Sequence, residues 1–282
     1  MNLRDGLIAY YKFDENAANT TVVDSTGTQS NATASQNTSA MTATGKILTC
    51  LSFNGTTDYV NVPHAASQLT TSGLTISAWI YADTGGESNF GRIVDKSSAL
   101  SGVGGYYLCT RGGDYMFQVN DGTQVISGTR ENGVWEFVVV TVQADGTGQI
   151  YINGVASGSS ANVGDLSGIT TTTDLRIGNR AGATDRSYDG LIDELAIWNR
   201  ALSTTEITQL YNSGSGFGYP FAYSMTADSG SFALTGTDVT LYYESSWVYD
   251  TKPTSSWTNG TKPTSSWTNG TKPTSSYTND SK

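Results

Sequence analysis

The chain has 282 residues, with 15 basic against 25 acidic side chains and a net charge of −10. The basic surface that neutralises phosphate polymers is therefore missing, and nucleic acid is excluded as a partner. Only 14% of residues are charged, and the wealth of Gly, Ser, Thr and Asn is that of a β protein with many tight turns, long enough for one large all-β domain or two smaller ones. No apolar run approaches the ~18 residues that span a bilayer, so no membrane segment is expected.

Met1 to Gly6 runs straight into the first apolar stretch, without the charged and apolar regions of a signal peptide. The expectation is a chain made without a recognisable export signal and displayed on a virion or an extracellular surface. A strand is predicted over Leu7–Asp14, followed by a turn at Asp24-Ser25-Thr26-Gly27. Further strands are predicted over Ile47–Phe53, Asp58–Val62, Leu74–Tyr81, Gly91–Lys96, Tyr106–Thr110, Met116–Asn120, Glu136–Gln143, Gly148–Ile152 and Leu175–Ile177. Asp145-Gly146 and Asn153-Gly154 mark hairpin turns, because both pairs tolerate positive φ. Cys50 and Cys109 fall inside predicted strands, either as two buried thiols or as one disulfide. Trp79, Trp135 and Trp198 sit in strand patterns and are assigned to the core. His64 is the single histidine, so neither a His-dependent triad nor a multi-His zinc site can be assembled.

The segment Ser187 to Ile207 carries the densest pattern. Leu191, Leu195 and Ile197 share one parity, with Ile192 and Trp198 on the other, which predicts a strand partly buried on both faces. Ser203 and Glu206 form a capping box, predicting a short helix from Thr204 that ends by Ser213-Gly214. The run Gly190 to Ile207 resembles the closing strand of LamG-like domains in the concanavalin A-like lectin/glucanase superfamily. Phe53 to Val60, Thr75 to Ile80, Ile150 to Gly154 and the opening Gly6 to Glu15 are similar to the same family in the same order. The resemblance covers about Gly6 to Tyr211 and implies a two-sheet antiparallel jelly-roll sandwich with a short helical turn after the closing strand.

Enzymes of this superfamily place their catalytic carboxylates on one strand as E-x-D-x-x-E or E-x-D-x-E, and this chain contains neither pattern. No enzymatic activity is therefore expected. The resemblance implies a structural Ca²⁺ joining the first and last strands, with Asp14, Asp24, Gly27 and Asp193 as its ligands. The alternative is that Asp193 only accepts hydrogen bonds from Arg200 or from backbone amides. Positions matching the paired-calcium site of pentraxins are Asn179, Arg180 and Ala181, which cannot hold two calcium ions. Glycan contacts are expected from exposed rings and planar polar groups at loop tips: Arg111, Tyr115, Asn120, Asp121, Arg180, Asp185 and Tyr188. For Arg111 and Arg180 an ordinary surface salt bridge is the alternative.

Beyond Gly218 the character changes. Met225 to Leu241 predicts two short strands and is similar to segments of bacteriophage virion proteins. From Thr251 a ten-residue unit repeats as TKPTSSWTNG, TKPTSSWTNG and TKPTSSYTND, with nothing from which to build a core. The predicted organisation is a jelly roll over 1–218, a small β appendage over 219–250 and an extended repeat tail over 251–282. Trp247, Trp257, Trp267 and Tyr277 recur along the tail as candidate docking residues for virion proteins or sister subunits, so a homo-oligomer is expected. The predicted role is a non-enzymatic adhesion or decoration module binding a glycan, a cell-surface polysaccharide or a capsid or tail partner. The alternatives are a purely structural cement protein and a glycan-degrading enzyme.

Overall fold

A computed structural model describes residues 2–98 and 104–221. The strands are β1 (Leu7–Tyr11), β2 (Thr21–Val22), β3 (Ala32–Ala34), β4 (Thr42–Thr44), β5 (Thr49–Asn54), β6 (Val60–Val62), β7 (Leu74–Ala82) and β8 (Arg92–Lys96). They continue as β9 (Tyr106–Arg111), β10 (Asp114–Val119), β11 (Val125–Thr129), β12 (Trp135–Val142), β13 (Thr147–Ile152), β14 (Val155–Asn162), β15 (Leu175–Ile177) and β16 (Asp189–Trp198). Helix is limited to short turns, α1 (Thr38–Met41) and α2 (Thr204–Tyr211) being α-helical. The β appendage, apart from residues 219–221, and the repeat tail with Trp247, Trp257, Trp267 and Tyr277 lie outside the described residues.

The strands form two antiparallel sheets of eight, as the jelly-roll expectation required. The first runs β14-β13-β12-β7-β16-β5-β4, with β1 also paired to β16. The second runs β11-β10-β9-β8-β15-β6-β3-β2. Between them lies a continuous apolar core that includes Phe53, Ile76, Ile80, Phe117, Val138, Val140, Ile177, Ile192, Leu195 and Ile197. Alternation explains β12 directly: Val138, Val140 and Val142 enter this core, while Phe137 and Val139 face outward.

β16 is the spine of the first sheet. It pairs with β7 along one edge; along the other, its first half pairs with β5 and its second half with β1. The predicted parity of Leu191, Leu195 and Ile197 does not hold, because a bulge interrupts the register between Asp193 and Ala196 and Glu194 has φ of 52°. An extra residue in one strand reverses the side-chain alternation beyond it. Ile192, Leu195 and Ile197 consequently share the inter-sheet core, Leu191 is only half-buried, and Ala196 and Trp198 face outward. Gly190 is required for a different reason: a Cβ there would lie 2.1 Å from the Tyr81 carbonyl oxygen.

The outer face of the first sheet is not left to solvent. Tyr10, Trp79, Phe137, Val139, Ala196 and Trp198 form a second apolar cluster, roofed by Leu202, Ile207 and Leu210 and joined by Phe217, Tyr219 and Phe221. The expected capping box seats α2: the Glu206 amide donates to Ser203 Oγ at 3.3 Å and the Ser203 amide to Glu206 Oε2 at 2.9 Å. The Arg200 guanidinium grips the same Glu206 carboxylate with bonds of 2.9 and 2.7 Å. Trp79 and Trp198 are buried in this outer cluster, not between the sheets, and Trp135 is half-buried.

Five strands have no sequence counterpart. β2, β3 and β4 are only two or three residues long, too short to show alternation, while β11 and the exposed edge strand β14 carry few apolar residues. Ile47 and Leu48 belong to a turn, Leu48 having φ of 56°, so β5 begins at Thr49. Cys50 and Cys109 are both buried and unpaired. Trp198→Ala should lower stability by about 3–5 kcal/mol, because it empties the outer cluster and removes the bond from Nε1 to the Leu3 carbonyl (2.7 Å). Urea unfolding with an unchanged m-value is the check.

Candidate functional site

The predicted loop-tip residues do not converge on one site. Arg111 lies at the β9–β10 turn, while Asn120 and Asp121 follow β10 at its other end. That six-residue strand keeps them roughly 20 Å apart at ~3.3 Å per residue. Tyr115 and Tyr188 are fully buried. The Tyr115 hydroxyl donates to Glu136 Oε2 at 2.8 Å and the Tyr188 hydroxyl to the Tyr81 carbonyl at 3.0 Å. Neither ring has a face to offer a ligand, because β10 directs Tyr115 into the inter-sheet core and Tyr188 packs against Phe53. Arg180 and Asp185 are joined in a two-bond ion pair of 2.6 and 3.0 Å.

With the first sheet roofed, attention moves to the outer face of the second. Leu175 and Ile177 point into the core, so Asp174 and Arg176 project outward; Val60 and Val62 likewise turn Asn61 out, and Ala32 and Ala34 turn out Thr33. These outward positions are in register. Thr33 pairs with Asn61, Asn61 with Arg176, Arg176 with Asp95, Asp95 with Tyr107 and Tyr107 with Gln118. A polar row therefore crosses six strands.

Over β15, β6 and β3 the row opens into a groove of about 530 Å³ lined by Thr33, Ser35, Tyr59, Asn61, Asp174 and Arg176, with Ala34. The Arg176 guanidinium lies over the Tyr59 ring, 4.1 Å from its centroid, a cation–π stack. Asp174 accepts from Asn61 Nδ2 and from the His64 amide, both at 2.8 Å. Burial pushes the Asp174 carboxyl up, but these bonds and the Lys96 charge outweigh it and hold the group below its ordinary range. Burial pushes the Arg176 guanidinium down. Behind the groove, Lys96 is fully buried, donates to the Thr173 carbonyl at 2.7 Å and meets His64 Nδ1 at 3.0 Å. Burial lowers its amine to about 8. His64, the single histidine, lies in the loop after β6 and braces this wall. Sequence reasoning aimed at loops missed the groove, although the parity of D-L-R-I, V-N-V and A-T-A already turned these polar residues outward.

The expected calcium ligands divide into two groups. Asp24 is saturated by the Tyr10 amide (2.9 Å), the Thr26 amide (3.2 Å), Thr26 Oγ1 (2.6 Å) and the Gln29 amide (2.8 Å). It is a buried turn organiser with no lone pair to spare for a metal, and Gly27 sits exposed on that turn. Asp14 and Asp193 lie instead where β1 and β5 meet along β16. Asp14 Oδ1 accepts from the Thr49 amide (3.2 Å) and Oγ1 (3.3 Å), and Asp193 Oδ2 accepts from the Lys46 and Ile47 amides (2.8 and 2.9 Å). Asp193 Oδ1 is buried without a partner, an orphan acceptor suited to a cation. Among the described residues, no three His, Cys, Asp or Glu side chains converge as a metal-binding group, so an ion there would need backbone carbonyls.

Burial, with Glu194 and Asp14 nearby, drives the Asp193 carboxyl up to about 8. Burial also raises Glu194 to about 7, against a short hydrogen bond from the Tyr10 hydroxyl that favours ionisation. Gly218 packs closely beside it, where a Cβ would stand 3.1 Å from Glu194 Oε2.

The chain belongs to the concanavalin A-like lectin/glucanases superfamily, whose description matches residues 54–208. No curated protein matches the sequence. Among solved structures, domain 4 of AbnA, a GH43 extracellular arabinanase from Geobacillus stearothermophilus, is similar at 22% identity with a TM-score of 0.55 over 72% of this chain and 96% of that one. The binding domain of Paraclostridial Mosquitocidal Protein 1 is similar at 17% identity, TM-score 0.59, over 76% of this chain and 53% of that one. The binding domain of botulinum neurotoxin DC, solved with rat synaptotagmin II, gives 19%, 0.56, 74% and 52%. The chain thus spans about half the length of the toxin domains, and the likeness is one of fold.

Burial also raises the Glu15, Asp83, Asp95 and Glu136 carboxyls, but the pH response of the metal-free protein near neutrality is led by Asp193 and Glu194, driven up to about 8 and about 7. The stabilisation tied to their protonated forms is complete below their unfolded values and is lost as pH rises through about 7 and about 8. Stability in EDTA should therefore fall between pH 5 and pH 8, where the lowered carboxyls Asp174, Asp185 and Glu206 are already ionised. Asp193→Asn keeps the amide contacts and should flatten much of this slope in denaturant titrations run at several pH values.

Proposed function

We propose that the protein is a non-catalytic glycan-binding module whose site is the groove across β15, β6 and β3. The observation that carries this reading is the combination of a half-exposed Tyr59 ring, the Arg176 guanidinium and the Asn61–Asp174 pair on one open sheet face. A sugar ring stacks its C–H face on an aromatic plane and presents hydroxyls to planar amide, carboxylate and guanidinium groups. Support comes from the relatives: the arabinanase domain was solved with arabinotriose, and entry of botulinum neurotoxin type C into cells depends on two ganglioside molecules. Hydrolysis is disfavoured by the site's chemistry. A retaining glycosidase needs two carboxyl groups about 5 Å apart, whereas among the described residues Asp174 is the one carboxylate lining the groove and both of its oxygens accept internal bonds.

A bacteriophage particle is the setting we propose, on the likeness of Met225 to Leu241 to virion proteins; there the repeat tail would tie the module to sister chains or to a capsid or tail partner. Calcium between Asp14 and Asp193 is proposed as a structural ion, supported by the orphan Asp193 oxygen. At a hundredfold excess over its Kd, calcium should add about 2.7 kcal/mol and raise Tm by about 5 °C or more, reversed by EDTA. An unchanged Tm would remove the ion from the account.

The groove is tested on a glycan array carrying arabino-, gluco- and galacto-oligosaccharides and gangliosides. Tyr59→Ala should weaken every hit by about tenfold, roughly the 1.4 kcal/mol one aromatic face supplies. Arg111→Ala and Asp121→Ala should leave the hits unchanged. Loss on the loop variants with retention by Tyr59→Ala would move the site to the loops.

A further inference from the structure

The polar row that begins in the groove does not stay open. From Thr33 through Asn61 to Arg176 the side chains are exposed or half-exposed, yet the next three, Asp95, Tyr107 and Gln118, are buried, at 0%, 3% and 5% exposure. Outward residues of a sheet become buried only when something lies on them. Here the cover begins with the loop between β15 and β16. Arg176 Nη1 donates to the Arg180 carbonyl at 3.2 Å and the Ala183 carbonyl at 2.7 Å, drawing this loop onto the sheet immediately beside the groove. Asp95 beneath it is paired with Arg92, whose Nε lies 3.0 Å from Asp95 Oδ2. Further along, the Arg92 guanidinium lies 3.3 Å from the centroid of the Tyr107 ring and closes that part of the row.

The cover is built to stay in place. Arg180 and Asp185 clamp the loop across its neck with two bonds. Asn179, fully buried, accepts from the Arg180 and Arg186 amides and donates to Ser187 Oγ at 2.8 Å. Gly178 starts the turn at φ of 81° in a space where a Cβ would stand 2.2 Å from the Phe53 ring. At the opposite end nothing comparable stands over the row among the described residues: Thr33 and, on β2 at the sheet edge, Thr21 are exposed. The open part from β15 to β2 spans three strand spacings, about 14 Å.

From this asymmetry we infer that the groove is blind at its Arg176 end and therefore recognises the terminus of a glycan chain, not an internal stretch of a polysaccharide. The inference rests on the glycan reading of the groove. An internal binder needs a channel open at both ends, so that the polymer can run on past the site. A groove stopped by a bonded loop admits one chain end, whose last ring meets Arg176 and the Arg180–Ala183 backbone while the rest leaves over β3 and β2.

The two kinds of binding differ in stoichiometry. Length series of linear arabinan, laminarin fragments and dextran, each from trisaccharide to polymer, are titrated into the full chain by calorimetry and sedimentation, with Tyr59→Ala alongside. The expected result is one protein per sugar chain at every length for the series that binds, with affinity per chain unchanged by length and weakened about tenfold in Tyr59→Ala. A number of bound proteins that rises with chain length, with affinity still weakened by Tyr59→Ala, would overturn end recognition while leaving the groove as the site. Binding that survives Tyr59→Ala at full strength would overturn the groove reading itself. Failure of all three series to bind would overturn end recognition for neutral polysaccharides.

Discussion

The bulge at Glu194 is the constraint on which the rest of the structure depends. A regular strand from Asp189 to Trp198 would send Ile192 and Leu195 to opposite faces. The extra residue instead lets the first half of β16 share the inter-sheet core with the second half, and it also turns Ala196 and Trp198 outward to hold α2 and the 217–221 segment. The same bulge falls where β1 ends and β5 begins, so one strand is paired with β7 throughout and with two successive partners on its other edge. Asp193 and Glu194 are buried at that junction, and burial raises both carboxyls; at Glu194 the Tyr10 hydrogen bond and the Lys12 charge offset only part of the loss of water.

The division of labour between the two sheets follows. Over β1, β7, β12 and β16 the first sheet is apolar on both sides and is covered on both: by the opposite sheet within, and by α2, Leu3 and the aromatic residues Phe217, Tyr219 and Phe221 without, while its edge strand β14 stays exposed. The outer surface of those central strands is occupied by the chain itself. The second sheet is mixed on its outer face: over β9 and β10 Tyr107, Cys109 and Met116 form a small buried apolar cluster, whereas over β3, β6 and β15 the face carries Thr33, Asn61, Arg176 and Asp174, which need water or a polar ligand. Fold alone does not assign a function. The open face, however, concentrates a ring, an amide, a carboxylate and a guanidinium in one groove, and a groove of that chemistry is suited to sugar hydroxyls.

Much of the architecture was legible in the residue pattern, for identifiable reasons. Long alternating strands such as β7 and β12, the Asp145-Gly146 and Asn153-Gly154 turns, and the Ser203–Glu206 cap are encoded within a few neighbouring residues. The bulge was not legible, since Glu194 adopts positive φ only because pairing on both edges of β16 requires it. Short strands such as β2 to β4 gain their structure from partners distant in sequence. Tyr115 and Tyr188 drop out as contact residues for a related reason: both are aromatic and near turns, but whether a ring faces solvent depends on strand parity and on which sheet covers which. Asp24 was expected as a calcium ligand, but four donors within and beside its turn occupy both of its oxygens, which the residue pattern alone does not reveal. The groove combines residues 33–35, 59–61 and 174–176, which only the β3-β6-β15 order brings side by side.

The central claim is that ligand recognition belongs to the open face of the second sheet. Amide chemical-shift mapping of the isotopically labelled protein, titrated with an oligosaccharide selected from the array, tests it most directly. The account predicts that the largest perturbations cluster at residues 33–35, 59–61 and 174–176, with smaller ones along 180–183. Perturbations centred on Arg111, Asn120 and Asp121 instead, with the groove silent, would contradict it.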